Sequence, residues 1–278
     1  MIRIITDSTS DLTLEMAATL GIDIISLPVY FGAEKFRDGI DLSRSQFYHK
    51  LSAANELPKT SQINPNEFAA IFSQYLEQGD EVFGIFLSSE LSGTFQSATI
   101  AKSELNSEKI QISDSRSVTF GLGLLVIEAV KLRDQGSSLS ELTAAMAELI
   151  PKLRLWAVVD TLKYLKMGGR ISATSAAIGS VIGITPLISV TGGKVEAIGK
   201  TRGRKNGLKR LAELIKQHPP DTSYTVAFGH SDAEAALKEA TDALAPLTGV
   251  NEYLVGNIGA VVGTHVGPNA VGVAYIEK

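Results

Sequence analysis

The sequence predicts an α/β protein: a mostly parallel, doubly wound sheet domain over residues 1–154, then a mixed α/β sheet domain over residues 155–278. Three observations predict it. Short runs rich in β-branched and aromatic residues alternate with stretches of helical apolar periodicity through the first half. Helix start and stop signals fall between those stretches. At 278 residues the chain is also long for one core, which favours two domains.

Arg3–Thr6 reads as a first strand and Asp7-Ser-Thr-Ser-Asp11 as the polar turn after it. Leu12–Leu20 reads as a helix, with Glu15 in its first turn and Gly21 at C′. Ile22–Phe31 reads as one continuous strand, turned back at Gly32-Ala-Glu-Lys35. Ser43-Arg-Ser-Gln46 has the spacing of a capping box, in which each side chain satisfies the other residue's backbone N–H, so a helix opens there. Asn64, Pro65 and Glu67 supply an N-cap, a proline at N1 and an acid at N3 for the next helix. Thr60, Ser61 and Gln62 lie upstream of that cap and are not needed by it. They are either an ordinary polar loop or free to meet a ligand.

Glu81–Leu87 reads as a buried parallel strand and Thr94–Leu105 as a helix. The turn between them, Ser88-Ser-Glu-Leu-Ser-Gly-Thr94, joins a strand's carboxyl end to a helix N-terminus. Open α/β sheets place their ligands at such turns, and unpaired N–H groups with the helix dipole favour an anion there. Hydroxyls of Ser88, Ser89, Ser92 and Thr94 add neutral donors, although one serine capping the helix explains part of the pattern equally well. Lys109–Asp114 is a further strand and Thr119–Gln135 a long helix. Ser138-Leu-Ser-Glu141 is a second capping box, before a helix over Leu142–Lys152.

In the second half, Leu155–Asp160 reads as a strand, Thr161–Met167 as a short helix ended by Gly168-Gly169, and Ser175–Ile184 as a small-residue apolar stretch. That stretch suits a core helix or one wall of a long apolar pocket. Pro186–Val190 and Lys194–Ile198 flank Thr191-Gly-Gly193 as a hairpin, and Lys200–Lys205 is a dense basic run at a helix start. Tyr224–Phe228, Glu252–Val255 and Ala270–Ile276 read as strands, with Ser231 or Asp232 capping a helix over Ala233–Leu244. Gly256–Ala270 reads as a glycine-rich loop in which backbone crowds His265.

Composition narrows the function. Zero cysteines exclude disulfides, thiolate metal sites and Cys nucleophiles, and fit a reducing cytoplasm. Apolar content of 44% with 20% charged residues describes a soluble globular chain, and no apolar stretch reaches the roughly 20 residues of a membrane span. The net charge of −4 argues against nucleic acid as the main partner. No G-x-G-x-x-G opens a helix after the first strand and no G-x-x-x-x-G-K-[ST] occurs, so the fold implies no nucleotide. Gly229-His-Ser-Asp-Ala233 has a superficial likeness to the nucleophile elbow of a serine hydrolase, but Ala233 stands where the second glycine belongs. A binding protein for small anions or sugar phosphates, using the basic run and the strand-end loops, is a further alternative.

Taken together, Asp7-Ser-Thr-Ser-Asp-Leu12, Thr60-Ser-Gln62, Ser88–Ala98, Gly168-Gly-Arg-Ile171 and His265-Val-Gly-Pro268 resemble the DegV family, the fatty-acid-binding subunits of bacterial fatty acid kinase. The resemblance runs from end to end. It implies two α/β domains with one long-chain fatty acid buried between them, and no cofactor or metal. It implies that Thr60, Ser92 and His265 hold the carboxylate, with Ser61 and Gly93 beside them. It further implies that a separate ATP-dependent kinase subunit makes the acyl phosphate for phospholipid synthesis, with Arg170 and Arg202 on the phosphate or kinase side. This chain itself would then be a binding subunit with no catalytic site, cytoplasmic and open to transient membrane contact, with Ser175–Ile184 as a candidate wall for the tail.

Overall fold

The computed structural model of the protein describes residues 1–171 and 183–278. Among these, the strands form three sheets. The first is parallel throughout, in the order β2-β1-β6-β7, from β1 (Ile2–Asp7), β2 (Ile22–Ile25), β6 (Glu81–Phe86) and β7 (Ile110–Asp114). Its central strands β1 and β6 are almost wholly buried, whereas the edge strands β2 and β7 are half-buried. The helices that cover it include α1 (Leu14–Leu20), α3 (Pro65–Glu77), α4 (Thr94–Leu105), α5 (Thr119–Asp134) and α6 (Leu139–Leu149).

The caps read from sequence in the first half of the chain hold. Ser43 and Gln46 form a reciprocal capping box at α2 (Arg44–Ala53), as do Ser138 and Glu141 at α6. Asn64 caps α3 with Pro65 at its first position, and Gly21 closes α1 in the left-handed region at φ 59°.

The second sheet is mixed, in the order β10-β9-β8-β13-β11-β12. It comprises β8 (Leu153–Val158), β9 (Ile184–Thr191), β10 (Lys194–Arg202), β11 (Ala227–His230), β12 (Leu254–Asn257) and β13 (Val271–Ile276). Alternation along β8 and β9 sorts its two faces. Trp156, Val158 and Leu187 pack under α8 (Arg204–Gln217) and α9 (Glu234–Thr248), together with Leu208, Leu211 and Leu244. Leu155, Ala157 and Ile188 point the other way, into the larger core that also holds the parallel sheet.

Several expectations are corrected. Ile22–Phe31 is two strands, not one: after β2 the chain leaves the parallel sheet, and Pro28, which has no N–H for a ladder, begins β3 (Pro28–Phe31). β3 is the centre of a small antiparallel sheet with β4 (Glu34–Arg37) and β5 (Lys59–Thr60). β10 extends to Arg202, so the front of the basic run is strand rather than helix start. The strand expected at Tyr224–Phe228 forms later, at β11, and the one at Glu252–Val255 also shifts later, to β12.

Neither Ser231 nor Asp232 caps α9. Ser231 Oγ instead accepts from the Ala270 N–H at 2.8 Å, and the Ala233 N–H donates to His230 Nδ1 at 3.1 Å. The expected loop at Gly256–Ala270 contains a helix, α10 (Ala260–Val266). Its glycines serve packing: a Cβ at Gly263 would stand 2.6 Å from Phe47 Cε1 of α2. Of the stretch Ser175–Ile184, residues 175–182 lie outside the described residues, and Ile184 opens β9.

Candidate functional site

The parallel sheet reverses its winding between β1 and β6, the position where open sheets leave a crevice at their carboxyl ends. The Asp7 carboxylate ties the two strand ends together. It accepts from the Thr9 N–H at 2.9 Å, the Thr9 hydroxyl at 2.5 Å and the Leu87 N–H at 2.8 Å. Burial pushes its pKa up to about 6, against the pull of those hydrogen bonds.

Above this crevice lies a cavity of about 310 Å³. One end is polar. Thr60, Ser61 and Gln62 come from β5 and the segment after it, Ser92 and Gly93 from the turn into α4, Arg170 from the segment after α7 (Lys163–Met167), and His265 from α10. Thr60 Oγ1 and His265 Nε2 are 3.1 Å apart, joining residues 205 positions apart in sequence. Ser92 Oγ lies 3.0 Å from Thr94 Oγ1 and accepts from the Thr94 N–H at 3.3 Å, while Gly93 is the N-cap of α4.

The imidazole of His265 is held in place on its other side. Its Nδ1 is buried with no hydrogen-bond partner among the described residues, and a Cβ on Gly168 would stand only 2.1 Å from that atom. Burial, and then the nearby Arg170 charge, push the His265 pKa down to about 4. The ring is therefore neutral at physiological pH. The Arg170 guanidinium is held at the cavity by bonds from Nε to Leu91 O at 3.2 Å and from Nη1 to Gly168 O at 2.6 Å. Two hydroxyls, a neutral imidazole, a guanidinium and a helix N-terminus make a set of donors suited to one anionic head group.

The rest of the lining is mostly aliphatic or aromatic. Leu155, Ala157, Ile188 and Val190 come from the inner face of β8 and β9, Phe120 from α5, and Val261, Val262 and Val266 from α10. Phe120 is packed so closely that a Cβ on Gly229 would stand 1.9 Å from its Cδ1. Such a surface suits a hydrocarbon chain better than a sugar.

Six of the seven residues singled out from sequence (Thr60, Ser61, Ser92, Gly93, Arg170 and His265) line this one cavity. Arg202 does not: it is exposed at the end of β10, with no side-chain hydrogen bond or ion pair among the described residues. Ser88 and Ser89 are committed elsewhere. Ser88 Oγ donates to Gly193 O at 2.8 Å, and Ser89 Oγ donates to Asp114 at 2.5 Å. The hydrolase arrangement is not assembled among the described residues: no carboxylate meets His265 Nδ1, and Ser231 is fully buried. Gly168, which wedges the imidazole, reads in sequence as a helix stop and as part of the Gly168-Gly-Arg-Ile171 motif, with nothing there to link it to His265.

Among the described residues, no helix is long and apolar enough to cross a membrane, and no group of three or more His, Asp or Glu is placed to hold a metal ion.

Comparison with known proteins agrees with this architecture. A family model described as uncharacterised protein, DegV family, matches residues 1–278. A DegV domain-containing protein of Deinococcus radiodurans is 39% identical over 280 residues, covering 98% of this chain and 97% of that one. Among solved structures, a DegV family protein from Thermus thermophilus, described by its fatty acid binding, superposes with a TM-score of 0.89 at 31% identity, covering 99% of each chain. DegV of Bacillus subtilis, described as a fatty acid binding protein, superposes with a TM-score of 0.86 at 32% identity, covering 100% of this chain and 99% of that one. With a whole-length family match and the same α/β fold, the chain belongs to the DegV family.

Proposed function

We propose that this protein binds one long-chain fatty acid in the cavity, between an N-terminal unit of residues 1–154 and a C-terminal unit of residues 155–278. One observation carries the reading: a polar end made by Thr60, Ser92, Gly93, Arg170 and His265 opens into a lining dominated by leucine, isoleucine, valine and phenylalanine. At ~0.8 kcal/mol per buried CH₂, a sixteen-carbon tail gains on the order of 10 kcal/mol, so the tail supplies the affinity. An unpaired buried carboxylate would cancel much of that gain. Hydrogen bonds from the Thr60 and Ser92 hydroxyls, the helix N-terminus at Gly93 and the His265 imidazole, at roughly 1.5–3 kcal/mol each for a charged acceptor, offset the loss. Fatty acid binding by the similar proteins of T. thermophilus and B. subtilis supports the same reading.

The bound acid is then presented to a separate ATP-dependent kinase subunit in the cytoplasm, which converts it to acyl phosphate for phospholipid synthesis, with transient membrane contact for loading. Phosphoryl transfer adds negative charge at the head group. Arg170 stands at the cavity to meet it, and Arg202 is exposed, where a partner can reach it.

Reconstitution with a fatty acid kinase subunit and ATP tests this division of roles. Ser92→Ala and His265→Ala are expected to lower fatty acid affinity, whereas Arg202→Ala keeps the affinity and loses phosphorylation. Loss of the lipid in Arg202→Ala, or full phosphorylation of the acid it presents, would contradict the assignment.

A further inference from the structure

The helix that carries His265 has an unusual seat. α10 is only seven residues long, and helices this short are marginal without tertiary support. Its N-cap is Gly259, which has no side chain to satisfy the first-turn N–H groups, where a serine, threonine or asparagine is the ordinary local device. Two carboxylates from the other end of the chain do this instead. Asp11 Oδ1 accepts from the Gly259 N–H at 2.8 Å, and Asp38 accepts from the Ala260 N–H at 2.8 Å and the Val261 N–H at 3.4 Å. Both are buried, at 5% and 4% exposure.

The fit is close. A Cβ on Gly259 would stand 3.0 Å from one Asp38 oxygen and 3.1 Å from Asp11 Oδ1. The Asp11 carboxylate is itself held by the Thr119 hydroxyl, and Arg44 donates to the Asp11 carbonyl at 3.0 Å. Tyr48 Oη donates to Ile258 O at 3.0 Å just ahead of the helix. Val261, Val262, His265 and Val266, at helical spacing, all reach the cavity, so any displacement of the helix moves the imidazole and part of the tail wall together.

We propose that Asp38 and Asp11 are positioning residues for the head-group site, seating the helix so that the His265 imidazole stands within hydrogen-bond reach of Thr60 and of the ligand carboxylate. The ligand part of this inference rests on the fatty acid reading. The seating of the ring does not. Two carboxylates that anchor a helix across more than 200 residues of chain fix its position along and about its axis, which a local serine cap cannot do.

The test is a double-mutant cycle on the full chain with a fluorescent long-chain fatty acid as probe, joined to NMR of the His265 ring without ligand. Asp38→Asn keeps the size of the side chain but replaces one acceptor with a donor. It is expected to weaken binding about tenfold beside native His265 and less than twofold in a His265→Ala background. Asp11→Asn, which disturbs only one of the three bonds to the helix, is expected to show the same coupling to a smaller degree. Both variants should shift the ligand-free His265 ring resonances, whereas Ser138→Ala, a remote cap variant, should not.

Equal losses in both backgrounds, or an unmoved ring, would overturn the positioning role. So would failure of both Asp variants to fold, since the carboxylates would then serve the fold as a whole. Failure of the wild-type protein to bind the probe would instead count against the fatty acid reading, and the ring resonances would still decide the seating.

Discussion

Gly168→Ala tests the head-group site with one methyl group. Gly168 has φ −77°, which any residue adopts, so alanine introduces no backbone strain. The new Cβ would stand 2.1 Å from His265 Nδ1, 2.9 Å from its Cε1 and 3.2 Å from Tyr164 O. Real contacts essentially never fall below 3.0 Å, so the ring must retreat by about 0.9 Å. On its far side the ring meets the Thr60 hydroxyl at 3.1 Å, so the displacement breaks or distorts that contact and the bond to a bound carboxylate. Losing one hydrogen bond to a charged acceptor costs about 1.5–3 kcal/mol, or about 10- to 150-fold in Kd. Displacement titration of a fluorescent fatty acid reads the affinity, and thermal denaturation shows whether the fold is intact. The expected result is a tenfold or larger loss of affinity with the melting temperature within a few degrees of wild type. Unchanged affinity would show that His265 does not touch the carboxylate.

Acid denaturation of His265→Gln against wild type offers a second check. The folded-state pKa of His265, about 4, lies below its ordinary value, so the native state binds fewer protons than the unfolded chain and this group's contribution is lost as pH falls from about 6.5 through 4. At 1.36 kcal/mol per pH unit the wild-type curve should fall relative to the variant by up to about 3 kcal/mol across that window. Asp7 and Asp11, whose pKa values burial pushes up to about 6 and about 7, contribute the opposite slope, but equally in both proteins, so parallel curves would refute the burial of a neutral ring. Gly229→Ala should drive Phe120 towards the cavity, since its Cβ would lie 1.9 Å from the ring. An overpacking penalty of about 1–3 kcal/mol and a preference shifted to shorter acyl chains are expected, read by melting temperature and a chain-length series; an unchanged series would mean that Phe120 does not bound the tail.

Much of the fold was legible because local chemistry and tertiary structure agree. Ser43 with Gln46, Ser138 with Glu141, and Asn64 with Pro65 start helices where their side chains dictate. What escaped depends on contacts between distant residues. The α10 helix is hidden among Gly256, Gly259, Gly263 and Gly267, which signal loop by propensity; its caps are Asp11 and Asp38, more than 200 positions away. The break between β2 and β3 is set by partners that local pattern does not contain: the Ser8 hydroxyl receives the Leu27 N–H at 3.1 Å, and Leu27 O accepts from the Asp38 N–H at 3.0 Å.

The site divides in the same way. Its polar end was visible because Ser92 and Gly93 occupy a strand-to-helix turn and Thr60 lies outside a complete helix cap. The aliphatic walls were not, because β8 is apolar on both faces: nothing in Leu155-Trp-Ala-Val158 tells the cavity side from the side under α8. Arg202 is placed on the phosphate or kinase side by resemblance alone; the fold leaves it exposed and outside the cavity lining.

The most direct measurement is native mass spectrometry of gently purified protein, followed by solvent extraction and identification of what is released. The fatty acid reading predicts a mass increment equal to one long-chain fatty acid, lost or reduced in His265→Ala. Protein that is bare as isolated, and stays bare after incubation with saturated and unsaturated long-chain fatty acids, would contradict it.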